Sequence, residues 1–251
     1  MLVIQMWNGE FEDGGSSFLV NKKGKIYLVT CYHIVPGYEF LDTSLLHGRK
    51  SHAPDVLSIF FHSKNREAPP ILTKCTLYTN NKRNFFTVPI IHGAMIGNGD
   101  REVFDLAFIP LNMQKLPKDA LIDTVPLYDK DVIISKGNLI SMWGFEDSLK
   151  NQYPSIDTGI ITKQKYNPNE GQINEWAHSF YSIHKDIEGN SGCPVFVHLS
   201  DGAHFVGIHS LRVIDMQKNV PEAFRDGTPN QEIGSMITKQ FIRYALENFV
   251  P

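Results

Sequence analysis

Short runs of β-branched and aromatic residues, each closed by Gly, Asn, Asp or Pro, recur along most of the chain and commit it to strands. The clearest are Lys25 to Thr30, Val56 to Phe61, Phe85 to Ile91, Leu106 to Ile109, Asp131 to Ser135, Leu139 to Trp143, Gly159 to Thr162, Pro194 to His198 and Phe205 to His209. Asn21-Lys22-Lys23-Gly24 and Ser200-Asp201-Gly202 supply residues that tolerate positive φ where strands should reverse. The pattern predicts an all-β barrel or sandwich. One stretch reads as a helix: Ile237, Phe241, Ala245 and Phe249 recur every four residues, with Ile242 and Leu246 beside them, behind an expected cap at Ser235. Between Asn112 and Lys130 the strand pattern breaks around Pro117 and Pro126, which predicts a linker between halves 1–120 and 121–251. Leu45 to Pro54 and Ser63 to Pro70 read as insertions.

Composition excludes several classes. With 251 residues, 42% hydrophobic and 20% charged, the chain is long and apolar enough to bury a core rather than remain disordered. Lys and Arg number 24 against 27 Asp and Glu, and no basic stretch offers a footprint for a phosphate backbone, so nucleic acid is not an expected partner. No apolar run approaches the roughly 18 to 20 residues that span a bilayer, so no membrane partner is expected either. Met1 to Trp7 is apolar but lacks a basic flank and a small-residue cleavage site, and is not read as a secretion signal. Cys31, Cys75 and Cys193 are an odd number without paired spacing, which predicts neither a disulfide framework nor a zinc site and fits a cytoplasmic protein.

Three segments carry chemistry when taken together. The first is Gly15-Ser16-Ser17-Phe18-Leu19-Val20 followed by Ile26 to His33, in which a strand delivers a His just past its last apolar residue. The second, Phe104-Asp105-Leu106-Ala107-Phe108-Ile109, puts an acid at the head of an apolar strand. The third, Gly189-Asn190-Ser191-Gly192-Cys193-Pro194, sets a Ser in a glycine-bracketed turn that feeds a strand. A serine hydroxyl needs a neighbouring base to become a nucleophile at neutral pH, and that base needs an acceptor on its other nitrogen. His33, Asp105 and Ser191 fit those roles, and the backbone N–H groups of Gly189 and Ser191 fit the oxyanion hole that acyl transfer requires. Cys193 lies two residues past Ser191 and reads as a small buried side chain. The remaining histidines show no metal-ligand spacing, and no cofactor is implied.

The order His, Asp, Ser and the run Gly-Asn-Ser-Gly ahead of a strand differ from the α/β-hydrolase pattern, where the nucleophile comes first and precedes a helix. Over most of its length the sequence resembles the chymotrypsin-like, or trypsin-like, serine peptidases. It is most similar to the disulfide-poor bacterial group that includes glutamyl endopeptidases, because Gly207-Ile208-His209 follows the nucleophile strand and Asn190 stands where an Asp is usual. It departs in the bulkier Thr30-Cys31-Tyr32 ahead of the His and in Cys193. The resemblance implies two six-stranded antiparallel β-barrels, a site in the cleft between them and a C-terminal helix. It implies His33 and Asp105 on the first barrel, Ser191 and the specificity pocket on the second, and a bacterial serine endopeptidase acting on a protein or peptide.

The resemblance also assigns a substrate-binding edge to Ser210, Leu211 and Arg212, and a pocket wall to Lys185 through Glu188. His209 stands where glutamyl endopeptidases carry the histidine that receives an acidic side chain, with Lys185 or Arg212 in support; Asp186 and Glu188 in the same wall argue for the opposite charge preference. In secreted trypsin-like zymogens a new terminal ammonium pairs with the acid before the nucleophile. Asn190 is neutral, so N-terminal trimming is not expected, and an activator of another kind is left open as a partner. The competing reading is a catalytically silent module of the same fold that binds a peptide strand along Ser210 to Arg212.

Overall fold

A computed structural model of the chain describes residues 2–7, 10–35, 56–65, 67–80, 82–89, 103–145, 155–163, 178–183, 189–212 and 232–251. Among them are sixteen strands and a single α-helix at the C-terminus, so the protein is mostly β. The first half holds β1 (Leu2–Trp7), β2 (Glu10–Ser16), β3 (Phe18–Lys22), β4 (Lys25–Thr30), β5 (Val56–Phe61), β6 (Ile71–Thr76), β7 (Tyr78–Thr79), β8 (Lys82–Arg83), β9 (Phe86–Pro89) and β10 (Val103–Pro110). These form two four-stranded sheets, in the orders β2-β1-β5-β6 and β3-β4-β10-β9, and a short β7-β8 ribbon. The expectation of one closed six-stranded barrel is therefore corrected for this half. The reason is that β5 ladders onto β1 rather than onto the second sheet, and only Ser17 separates β2 from β3 where the chain passes between sheets. The two sheets share one buried core, with Leu57, Ile59 and Phe61 from one and Leu19, Leu28 and Phe108 from the other. β4 lies between β3 and β10, so both of its edges are paired, and its last five residues are buried.

The second half does close. β11 (Leu139–Gly144), β12 (Ser155–Lys163), β13 (His178–Ile183), β14 (Pro194–Leu199), β15 (Gly202–Arg212) and β16 (Glu232–Thr238) form an antiparallel barrel in the order β11-β12-β13-β16-β15-β14. Ile140, Met142, Ile161, Tyr181, Val195, Val197, Val206 and Met236 fill it. The expected strand over Asp131 to Ser135 forms no ladder. Its side chains do alternate, with Val132 and Ile134 packed on the barrel core and Ile133 86% exposed.

The helix α1 (Lys239–Phe249) starts later than expected. Ser235 and Ile237 belong to β16, where they ladder with both β13 and β15, and the cap is Thr238, whose side chain accepts the Phe241 N–H at 3.3 Å. The buried face of α1 does not cover its own barrel's interior but joins the core of the first half: Phe241 stacks on Phe104 with ring centroids 4.3 Å apart. Lys22 Nζ donates to the Leu246 carbonyl at 3.0 Å, and Tyr27 Oη to the Pro251 carbonyl at 2.8 Å, so the end of the chain is fastened to the beginning. The connecting segment also lies on the first half, through Leu121 N–H to His62 O at 2.7 Å and Val125 N–H to Leu19 O at 2.9 Å. No helix among the described residues is long and apolar enough to cross a membrane.

Candidate active site

The β4-β10 register brings His33 and Asp105 together. Ala107 pairs with Thr30, so Asp105, two residues earlier on the antiparallel β10, lies beside the place where β4 gives way to a 3-10 turn over Tyr32–Ile34. His33 Nδ1 lies 3.0 Å from Asp105 Oδ1 and 3.1 Å from Oδ2, and the His33 backbone N–H donates to Oδ1 at 3.0 Å. His33 is fully buried and Asp105 nearly so. Burial alone would raise the Asp105 pKa. The charge of the His33 imidazole, its two hydrogen bonds and a donor from Ser210 outweigh burial and hold Asp105 well below the usual carboxylate range.

That last donor comes from the second half. Ser210 Oγ donates to Asp105 Oδ2 at 2.7 Å. It can do so because the β15-β16 ladder slips at this point: His209 pairs with Met236 and Leu211 with Ser235, leaving Ser210 as the extra residue of a bulge. A bulge re-aims a side chain. Ser210 was expected on the substrate-binding edge; its hydroxyl is engaged with Asp105. Sequence periodicity carries no signal for a one-residue slip.

The turn Gly189 to Cys193 sits against the same place. Gly189 has φ 99° and Gly192 φ 88°, both in the left-handed region that glycine tolerates. Gly192 N–H donates to His209 O, and Cys193 N–H to Asn190 O, each at 2.9 Å. The first half grips the turn through Ser16, which is fully buried. Its N–H donates to Ser191 O at 2.8 Å, its hydroxyl donates to Gly189 O at 2.8 Å, and the same oxygen accepts the Phe145 N–H at 3.0 Å. Its carbonyl accepts Thr30 Oγ at 2.8 Å and approaches Gly192 so closely that a Cβ there would lie 2.1 Å away. Ser191 is partly exposed, unlike His33, and no hydrogen bond of Ser191 Oγ occurs among the described residues. Ser16 was legible only as part of a turn preceding a strand.

Cys31 Sγ, a His33 ring nitrogen and an Asp105 oxygen all lie within 4.8 Å of one another, the one cluster of metal-ligand type among the described residues. Each is already engaged. His33 and Asp105 hold each other, and Cys31 donates to His209 O at 3.2 Å. Burial first, then the negative charge of Asp105, push the Cys31 thiol well above its ordinary pKa, which favours the neutral thiol over the thiolate.

His209 is 1% exposed, and its Nδ1 is hydrogen-bonded to the Tyr181 hydroxyl. Its pKa is pushed down to about 4, by burial first and by the nearby His33 charge second, against an opposing pull from Asp105. The imidazole is therefore neutral at neutral pH, not the standing cation that an acid-binding pocket calls for. Leu211 and Arg212 lie on β15 beyond the last residue paired with β14, since that ladder begins at Pro194 with Ile208, so the edge facing the turn is not taken by β14. The Leu211 and Arg212 side chains, and all of Lys185, Asp186 and Glu188, lie outside the described residues.

No protein-family model matches the sequence, and no curated protein does. Among solved structures the chain is similar to the Rv3671c protease in its inactive form, with 14% identity over 100% of this chain and 88% of that one, at a TM-score of 0.46.

Proposed function

We propose that the chain is a serine endopeptidase using Ser191 as nucleophile, His33 as general base and Asp105 as the acceptor that orients His33. The observation that supports this most is the buried carboxylate of Asp105 receiving His33 N–H and Nδ1 together with Ser210 Oγ, while Ser16 ties the Ser191 turn to the same half. With Asp105 holding Nδ1–H, the proton-accepting nitrogen of His33 is Nε2. Ser191 Oγ attacks the scissile carbonyl carbon as its proton passes to Nε2, and the C=O electron pair moves onto oxygen. The Gly192 and Cys193 N–H groups are already committed to His209 and Asn190 carbonyls, so the oxyanion falls to Gly189 and Ser191. Collapse breaks the C–N bond, His33 delivers its proton to the leaving amine, and water repeats the sequence on the acyl ester. An extended substrate is placed along Ser210 to Arg212, and the residue before the scissile bond is read by His209.

The test is covalent labelling of the full chain with a fluorophosphonate probe. Wild type should be labelled and Ser191→Ala should not, with peptide cleavage following labelling. Labelling that disappears in Cys193→Ala and persists in Ser191→Ala would show that Ser191 is not the nucleophile. A protein that binds peptides but resists the probe would be the silent module instead.

A further inference from the structure

Asn190, immediately before the proposed nucleophile, is 1% exposed, so its carboxamide has left water and needs a partner inside the protein. It has a strong one. Asn190 Nδ2 donates to Asp157 Oδ2 at 2.6 Å, across from the nucleophile turn to β12 of the barrel wall. The other end of the amide is pressed against β11: Oδ1 finds no partner among the described residues, and a Cβ on Gly144 would lie 2.0 Å from it. An amide held on one side by a charge-assisted bond and confined on the other by a glycine has little freedom to rotate. Its backbone lies within the Gly189 to Ser191 segment that would carry both oxyanion donors, with Ser16 on Gly189 O and Ser191 O as the second restraint.

We propose that Asp157 is a positioning residue that holds the nucleophile turn in its reactive conformation through Asn190, so that the turn is assembled within the chain without an incoming charged terminus. This rests on the serine peptidase reading and adds how that site is regulated: its order comes from a carboxylate on β12, and activity does not wait for a cleavage that creates a new ammonium. The pair is also polar in a defined sense. One carboxylate faces one carboxamide, so replacing Asn190 by Asp sets two acids against each other, while exchanging the two residues keeps one of each and restores a donor and an acceptor.

The experiment compares full-length wild type, Asn190→Asp, Asp157→Asn, Asp157→Ala and the exchanged double variant Asn190→Asp/Asp157→Asn. It follows the rate and saturation constants of fluorophosphonate labelling and the melting temperature. Removing a single oxyanion donor costs about 10²- to 10³-fold in turnover, so a displaced turn should lower the labelling rate at saturation by about 10²-fold in Asn190→Asp and about tenfold in Asp157→Ala. Half-saturation should be little changed, and the exchanged variant should recover most of the rate. A role confined to holding the barrel together would instead lower the melting temperature in step with activity and would not be repaired by the exchange. Either of those results overturns the proposal, as does wild-type labelling in Asp157→Ala and Asp157→Asn, and all three leave the peptidase reading standing. Failure of wild type itself to react overturns the peptidase reading and this proposal with it.

Discussion

The two halves solve the same problem of covering a β core in different ways. The second half closes six strands on one another, and every ladder in it has a partner on each side. The first half forms two four-stranded sheets among the described residues, and the helix that follows the last barrel strand packs onto the sheet β3-β4-β10-β9, through Phe104 on Phe241 and Lys22 on the Leu246 carbonyl. The proposed base and acid stand in the open half and the nucleophile turn in the closed one. A site shared in this way depends on bonds across the seam, and among the described residues those beside the proposed site are Ser16 to Gly189 and Ser191, Ser210 to Asp105, and Cys31 to His209.

The largest expected effect comes from Asp105, where both halves converge. Asp105→Asn replaces an acceptor of three donors by a group that must turn one N–H toward His33 or Ser210, which favours the wrong imidazole tautomer. Turnover of a peptide substrate should fall by about 10⁴-fold with the fold intact, as expected for loss of the tautomer-fixing acid. A loss below about tenfold would mean that the pair is structural and that the seam carries no chemistry.

A smaller effect separates seam bonds from bonds within one half. Ser16→Ala removes the hydroxyl that bridges Gly189 O and Phe145 N–H, leaving a buried donor and acceptor unsatisfied at a cost of about 1–3 kcal/mol each. Thr30→Val removes a bond that stays within the first half, from Thr30 Oγ to Ser16 O. Both should lower stability in urea, Ser16→Ala by more because it strands two groups rather than one, but only Ser16→Ala should also slow fluorophosphonate labelling, by about tenfold. Equal slowing in both variants would show that the turn responds to stability in general rather than to the seam.

Much of this was legible in the sequence, and what was not has physical causes. Lys25–Thr30 and Val56–Phe61 are strands with the expected limits because apolar β-branched and aromatic runs between turn residues leave few alternatives. The strand Glu10–Ser16 is built from Glu, Asp and Gly and is held by backbone pairing with β1, so composition hides it. Asp131 to Ser135 has the alternation of a strand without the neighbour, its Asp131 held by Arg243 of the helix at 2.6 Å. The His33–Asp105 pair follows from order and strand position, whereas Ser16, Asp157 and the bulge that turns Ser210 toward Asp105 depend on contacts 33 or more residues apart in sequence, or on a register slip that no local pattern records.

The smallest expected effect concerns the residue before the scissile bond and tests whether His209 belongs to the pocket or to the barrel. A pKa of about 4 in the free protein means that a carboxylate can be read as an ion pair only if it brings a proton with it. At pH 7 that costs about 4 kcal/mol, which a buried charge pair must offset. A neutral imidazole, held at Nδ1 by the Tyr181 hydroxyl, asks nothing of the kind from an uncharged side chain, because no proton has to be taken up to bind it. The two substrates therefore respond to pH differently. For matched peptides with Glu or Gln before the cleaved bond, the ratio of kcat/KM for Glu over Gln should be highest near pH 5. It should fall by up to about tenfold per unit as pH rises past the bound-state pKa of His209, while the Gln peptide follows only the pH dependence common to both. His209→Ala should flatten the ratio. A ratio already flat in wild type places His209 in the barrel interior alone, and better cleavage after Lys or Arg gives the pocket wall to Asp186 and Glu188, in either case without touching His33, Asp105 or Ser191.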